Sequence, residues 1–422
     1  MKPTVFITGL AGLAIAATAS ADVTINVTGS TAFRSATLSA IKAKYAGATT
    51  PSFKFAHDQT AGNLGKSTRS IFIGTFPGIT GTTTIRCTWS GSVEGIRALT
   101  LAPNVDPSPP TYLPASVATT AASPTGGETV SVSSSGATTA VSDIALSDVN
   151  KTATPFASTS LTTDAVGVIV FTMMTNEESG TTITNVTSQQ YRALLAQGYQ
   201  PLSLFTGNPA HTTNVFAIGR NDASGTRTTA LAEIGHGITN PVNQYVTTAT
   251  SGNAITTLQL TPAGSAFAST VWNQDVAGNG GYTSGGAVST ALGLTSGTVN
   301  VLDETGAEAF STDHVNLLTW LGVSDAATAK TNGGLLCGYN GVSLDLAGAS
   351  NTLSSADIAK IANGSYTAWG YERMFRRPSP SADVVTAYNA IKTSVPALLG
   401  TTGIPISSMA VARTSDGGVV AP

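Results

Sequence analysis

Charge is scarce in this sequence. Lys, Arg, Asp and Glu make up 10% of the 422 residues, and the formal net charge is -3. That excludes a disordered polyelectrolyte and a coiled coil. It also excludes a nucleic-acid binder, which needs clustered Lys and Arg, so any anion site has to be built locally. Cysteine is nearly absent, at two residues, and a disulfide scaffold is ruled out. The four histidines, His57, His211, His236 and His314, are scattered without metal-ligand spacing. No metal and no other cofactor are expected. No later stretch approaches the roughly 18 apolar residues of a membrane span.

Small residues are plentiful instead. Glycine alone accounts for 44 positions, with Thr, Ser and Ala also in excess, and hydrophobic residues reach 41%. The length suits two to three domains and a large core. At the amino terminus, Lys2 precedes an apolar run from Val5 to Ala17, and Ala19-Ser20-Ala21 forms an A-x-A site. Residues 1–21 are therefore expected to be a signal peptide cleaved after Ala21. A periplasmic or secreted protein beginning at Asp22 follows. In an oxidising compartment Cys87 and Cys337 are free to pair, but two buried apolar thiols fit the sequence equally well.

Three strand-turn-helix units stand out. Asp22 to Thr28 alternates with Val23, Ile25 and Val27 on one face; Gly29-Ser30-Thr31 breaks it, and Ala32 to Tyr45 has helical spacing. A second unit runs through Ile85 and Cys87, turns at Ser90-Gly91-Ser92 and continues as a helix from Val93 to Leu99. The third has a strand at Asn214 to Ile218, a turn at Arg220 to Gly225 and a helix from Thr226 to Ile234. Such repetition predicts an α/β fold with a largely parallel sheet. Pro103 to Val141 reads as a Pro/Ser/Thr-rich insertion, and Gly278 to Gly297 as another surface excursion. Val166 to Met174 is a candidate buried strand and a crossing point between lobes.

Each unit sets hydroxyl residues at a helix entrance, where unpaired N–H groups and the helix dipole favour anions. Ser and Thr are also ordinary N-caps, and most capped helices bind nothing. The third unit carries the most chemistry. In Arg220-Asn221-Asp222-Ala223-Ser224-Gly225-Thr226, Arg220 offers a donor fork, Ser224 and Thr226 offer hydroxyls, and Gly225 lets backbone approach a ligand. Asp222 is expected to hold Arg220 or the turn.

That run resembles the R-x-D-x-S-G-T element of phosphate ABC-transporter substrate-binding proteins. Four more segments are similar to that family in order: TGSTAFRSA from Thr28, SGSVEGIRAL from Ser90, SDIALSDV from Ser142 and NGSYTAWGYERMF from Asn363. The resemblance implies a two-lobed periplasmic-binding-protein fold of type 2, with a hinge and an interlobe cleft. Lobe I would hold residues 22–164 and 369–422, including the insertion at 103–141, and lobe II residues 165–368. It further implies that phosphate is held by Thr31, Ala32, Phe33 and Ser92 from the first lobe and by Arg220, Ser224, Gly225 and Thr226 from the second. Asp148 would accept a proton of the phosphate, a contact that fully ionised sulfate lacks. The sequence departs from the family at Ala32, where a hydroxyl is common, and at Val93 and Glu94, where small residues are usual.

The implied partners are inorganic phosphate and the membrane permease of an ABC transporter, with no nucleic acid and a monomeric chain. Two other functions compete. A secreted phosphatase or serine hydrolase is disfavoured, because in Gly91-Ser92-Val93-Glu94-Gly95 the serine falls one place early for a nucleophile elbow. A cell-envelope protein reusing the fold for adhesion or structure agrees with the low charge and the Ser/Thr-rich insertion.

Overall fold

The computed structural model describes residues 22–46, 53–100, 109–118, 127–176, 183–265, 275–400 and 403–422. The expected leader and part of the insertion lie outside them. Strand β1 (Val23–Gly29) leads into helix α1 (Arg34–Ala46). Strands β2 (Lys54–His57), β3 (Arg69–Thr75) and β4 (Thr82–Thr88) then run antiparallel in succession, and α2 (Ser92–Thr100) follows. The insertion carries β5 (Thr111–Tyr112), β6 (Gly127–Thr129) and β7 (Thr138–Thr139). β6 extends the sheet beside β2, whereas β5 and β7 pair with each other. β8 (Ile144–Ser147) closes this half by lying parallel to β1, which is parallel to β4 on its other side.

The 14-residue β9 (Thr162–Thr175) carries the chain out of the first half. The second half begins with β10 (Asn185–Val186), α3 (Ser188–Gln197), β11 (Tyr199–Pro201), α4 (Ser203–Thr206), β12 (Asn214–Ala217) and α5 (Gly225–Glu233). A separate four-stranded sheet follows, from β13 (Tyr245–Ser251), β14 (Ala254–Leu260), β15 (Thr295–Leu302) and β16 (Glu308–Thr312), with α6 (Gly285–Leu292) between β14 and β15. β17 (Val315–Gly322), α7 (Val323–Thr331), β18 (Leu335–Tyr339) and α8 (Ser355–Ala362) complete that half. The chain returns through β19 (Trp369–Arg376), α9 (Ala382–Ser394) and β20 (Gly403–Ile404).

The two halves share one sheet, joined along β9. Residues 162–170 of β9 pair with β19, which pairs in turn with β8 of the first half. Residues 171–175 pair with β17 and β18 of the second half. From Val166 to Thr175 the strand is buried without interruption, as expected for a strand covered on both faces. The α/β, two-lobed architecture thus rests on a crossing made of paired strands, and the shared sheet is mixed and not the largely parallel one expected, since the pairs β2–β3, β3–β4, β8–β19, β9–β17 and β9–β19 are antiparallel.

Local sequence explains the helix starts. Thr187 and Gln190 form a capping box at α3, and Ser354 and Asp357 form another at α8. The segment Gly278 to Gly297 corrects the expectation of a surface excursion. Ser284 caps α6 there, and Val288, Ala291 and Leu292 are buried. Its glycines permit close packing: a methyl group on Gly285 would overlap the Asp325 carboxylate at the start of α7. Cys87 in β4 and Cys337 in β18 are both buried and unpaired, one in each half.

Candidate functional site

The loops that follow the carboxyl ends of β1, β4, β8 and β12 meet between the halves, where open α/β sheets commonly place their ligands. The first two are forced together by glycine. Gly29 has φ +119° and lies against the Leu146 backbone, while Gly91 has φ +125° and donates its N–H to Gly29 O at 3.1 Å. A side chain at either position would be strained and obstructed. Gly95, one turn into α2, packs on Gly29 and Leu146, so the helix start is seated directly over β1 and β8.

Ser92 opens α2 and is 2% exposed; its hydroxyl donates to Asp148 Oδ1. Asp148, immediately after β8, is equally buried. From the second half, Ser224 caps α5 by accepting the Arg227 N–H, and Gly225 is the first helical residue. A methyl group on Gly225 would overlap both Asp148 Oδ1 and Ser92 Oγ. Ala223 packs into a first-half cluster with Val93, Ile96 and Val149, and Thr229 Oγ1 donates to Asp148 O at 3.4 Å. Two helix N-termini from opposite halves therefore converge on one buried carboxyl group.

Arg220 lies beside this point, with 4% exposure. Its Nε donates to Tyr282 O at 3.3 Å and its Nη2 to Thr283 O at 3.1 Å, so the loop before α6 fixes the guanidinium. Burial lowers its pKa, and the charges of Asp325 and Asp148 oppose that change. Burial likewise pushes the Asp148 carboxyl up to about 7, against its own backbone N–H and Arg220, while Asp416 and Asp325 add to the rise. Half-buried Asp325 is raised by burial and lowered by two arginines, Arg220 and, from the first half, Arg34.

The remaining residues singled out in the sequence take different places. Thr31 and Ala32 are half-buried at the turn before α1, and Ala32 N–H donates to Ser30 Oγ at 3.1 Å. The Phe33 ring is core, packed against Gly167 and Gly403, which limits its offer to a ligand to backbone atoms. Thr226 is 8% exposed in the first turn of α5. Asp222 accepts from the Ser265 hydroxyl and acts electrostatically on Arg227. Glu94 is turned into a buried pair with Arg97, whose Nε donates to Glu94 Oε2 at 2.8 Å, so its charge is balanced within α2.

Three further residues support this point without standing out in the sequence as site residues. Ser30 holds the first turn. Arg227 knits the second lobe's loops by donating to Asn279 O at 2.6 Å and Gly280 O at 3.2 Å. It also lines a cavity of ≈ 20 Å³ with Arg220, Thr319 and Trp320, room for about one water. Glu372 on β19 is fully buried near Asp148. Its same-face neighbours on the strand, Gly370 and Met374, are both buried, an enclosure that the sequence around it does not signal.

No family model and no curated protein matches the chain. Among solved structures, it is similar to an ABC-type phosphate transport receptor from Vibrio cholerae at 12% identity and a TM-score of 0.42, covering 89% of this chain and 96% of that one. It is also similar to a phosphate-binding protein from Stenotrophomonas maltophilia at 12% identity and a TM-score of 0.40, covering 92% and 91%. Both of those proteins are described as binding or transporting phosphate.

Proposed function

We propose that the interlobe site captures a small tetrahedral oxyanion, inorganic phosphate first, and that the protein is an extracytoplasmic receptor delivering it to an ABC-transporter permease. One observation carries the reading: the N-termini of α2 and α5, from opposite halves, converge on Asp148 beside the fixed Arg220. Helix N-termini and a desolvated guanidinium are complementary to an anion. Where Asp148 is ionised, its carboxylate at the same point favours an anion that brings a proton, which phosphate does and sulfate does not.

Thr31, Ala32, Phe33 and Ser92 would hold the anion from the first half, and Arg220, Ser224, Gly225 and Thr226 from the second. Micromolar affinity needs about 8 kcal/mol. Charge-assisted hydrogen bonds of roughly 1.5–3 kcal/mol each reach that with several contacts, after ordering costs. Separation of the halves admits the ligand, since Gly225 lies against Asp148 when they meet. Among the described residues no helix is long and apolar enough to cross a membrane.

A second reading, an envelope protein that keeps the fold for adhesion or structure, is favoured by one feature: Ser92 and Asp148 already satisfy each other across the seated helix. Titration calorimetry separates the two. Phosphate heat at micromolar affinity, absent with sulfate and lost in Arg220→Ala, supports the receptor. A folded protein silent to both anions rejects it.

A further inference from the structure

A second buried acid, Glu372, lies close to Asp148. Glu372 is 0% exposed on β19. The adjacent pair Arg373↔Ser147 in the β19–β8 ladder sets it alongside Asp148, which follows Ser147. Its Oε2 accepts a hydrogen bond from Ser30 Oγ at 3.3 Å, and Ser30 in turn holds the Ala32 N–H of the first turn. Its other oxygen, Oε1, is buried with no hydrogen-bond partner among the described residues. A fully buried carboxyl oxygen without a partner is costly unless a ligand or proton completes it.

The surroundings decide its charge. From the residue after β8 it meets Asp148, from its own strand Arg373, from the turn before α1 the Ser30 hydroxyl, and from β9 the register partner Gly167, which brings no charge. Asp148 in turn feels the charges of Arg220, Asp416 and Asp325. Burial and the neighbouring Asp148 both raise the Glu372 pKa well above the ordinary carboxylate range, and Ser30 and Arg373 oppose them. Two adjacent acids in a dry site do not both ionise, because the second charge would be neither hydrated nor neutralised.

We propose that Glu372 is a second, specificity-determining acid of the oxyanion site, which in its uncharged form donates its carboxyl hydrogen to the bound anion while Asp148 accepts the anion's own proton. This rests on the phosphate reading and deepens it. The site then takes an oxyanion that carries one proton and meets one protonated acid. When Glu372 loses its proton, its carboxylate faces the anion directly and binding weakens. At alkaline pH, where phosphate in solution is already the monohydrogen dianion, binding takes a proton from solvent onto Glu372.

The test is phosphate calorimetry on the full chain from about pH 6 to about pH 9, in two buffers of different ionisation heat, which counts protons taken up. The wild-type Kd is expected to rise at least about ten-fold across that range, with net proton uptake at the alkaline end. In Glu372→Gln the amide keeps a donor but has no proton to lose, so the rise is shallower and the uptake disappears. Parallel pH profiles in the two proteins overturn the proposal. So does wild-type binding without alkaline proton uptake, a result that does not depend on the variant folding. Wild-type protein that binds no phosphate at any pH rejects the receptor reading itself, which is distinct from binding with a flat profile.

Discussion

Gly225, at the start of α5, lies directly against the Asp148 carboxyl group of the opposite half, with no room for a methyl group between them. The contact is made by the helix backbone itself, so the halves meet only as closely as residue 225 allows. Gly225→Ala is expected to lower unfolding stability by about 1–3 kcal/mol, because its methyl group overlaps Asp148 Oδ1 and Ser92 Oγ where the halves meet. Its phosphate affinity should fall at least about 100-fold, since closure is blocked. Calorimetry together with denaturant unfolding measures both effects; wild-type affinity in the variant would contradict the contact.

Asp148 makes stability depend on pH in an unusual direction. Its folded pKa is about 7, whereas an unfolded aspartate titrates at about 4. Between those values the folded protein retains a proton that the unfolded chain has released. This group's contribution therefore falls as pH rises through that window and is constant above it. Asp148→Asn should flatten this part of the profile, giving a smaller loss of stability on going from about pH 4 to about pH 7. Urea unfolding at a series of pH values reads the difference directly.

The C-terminal tail ties the halves together from behind the site. Arg413 donates to Glu233 Oε2 at 2.9 Å at the end of α5, and Nη2 donates to Thr367 O at 2.7 Å. Asp416 accepts the Asn150 N–H at 2.6 Å from the first half. The Arg413 and Glu233 side chains are only 1% and 7% exposed. Arg413→Ala should cost about 3–5 kcal/mol by stranding the Glu233 charge. The Arg413→Met, Glu233→Leu pair should recover much of that, and a double-mutant cycle by chemical denaturation measures the coupling.

Burial pushes the thiols of both Cys87 and Cys337 up to about 12. Neither should react with a thiol reagent in the native state at neutral pH, because the thiolate is the nucleophile. Labelling should appear only as the chain unfolds. Rapid modification of either one without denaturant would show that its half opens locally.

The strand-turn-helix units were readable because each joins a period of two to a helical period across a Gly/Ser/Thr break. They appear as β1–α1, β4–α2 and β12–α5, with bounds shifted by a residue or two. Packing that depends on distant partners was not readable. Gly285 and Ser289 look like loop residues until α7 is set beside them, where Ser289 Oγ donates to Asp325 O at 2.7 Å. The Phe33 ring finds Gly167 and Gly403, far along the chain in both cases. Glu372 resembles a surface acid until β8, β9 and the first turn enclose it. Sequence spacing reports local geometry, whereas burial of a charge is set by segments hundreds of residues away.

The crossing strands also govern when the protein can fold. The sheet of the first half is finished by β19 and β20, so the ladders beside β8 and along β9 are incomplete until the last segment of the chain is present. Any nascent or truncated chain that stops before Trp369 exposes the open edge of β8 and one side of β9, both of which the complete fold keeps buried. Such edges recruit other strands, including those of neighbouring chains. The order of synthesis therefore runs opposite to the order of completion: the half that is made first is sealed last.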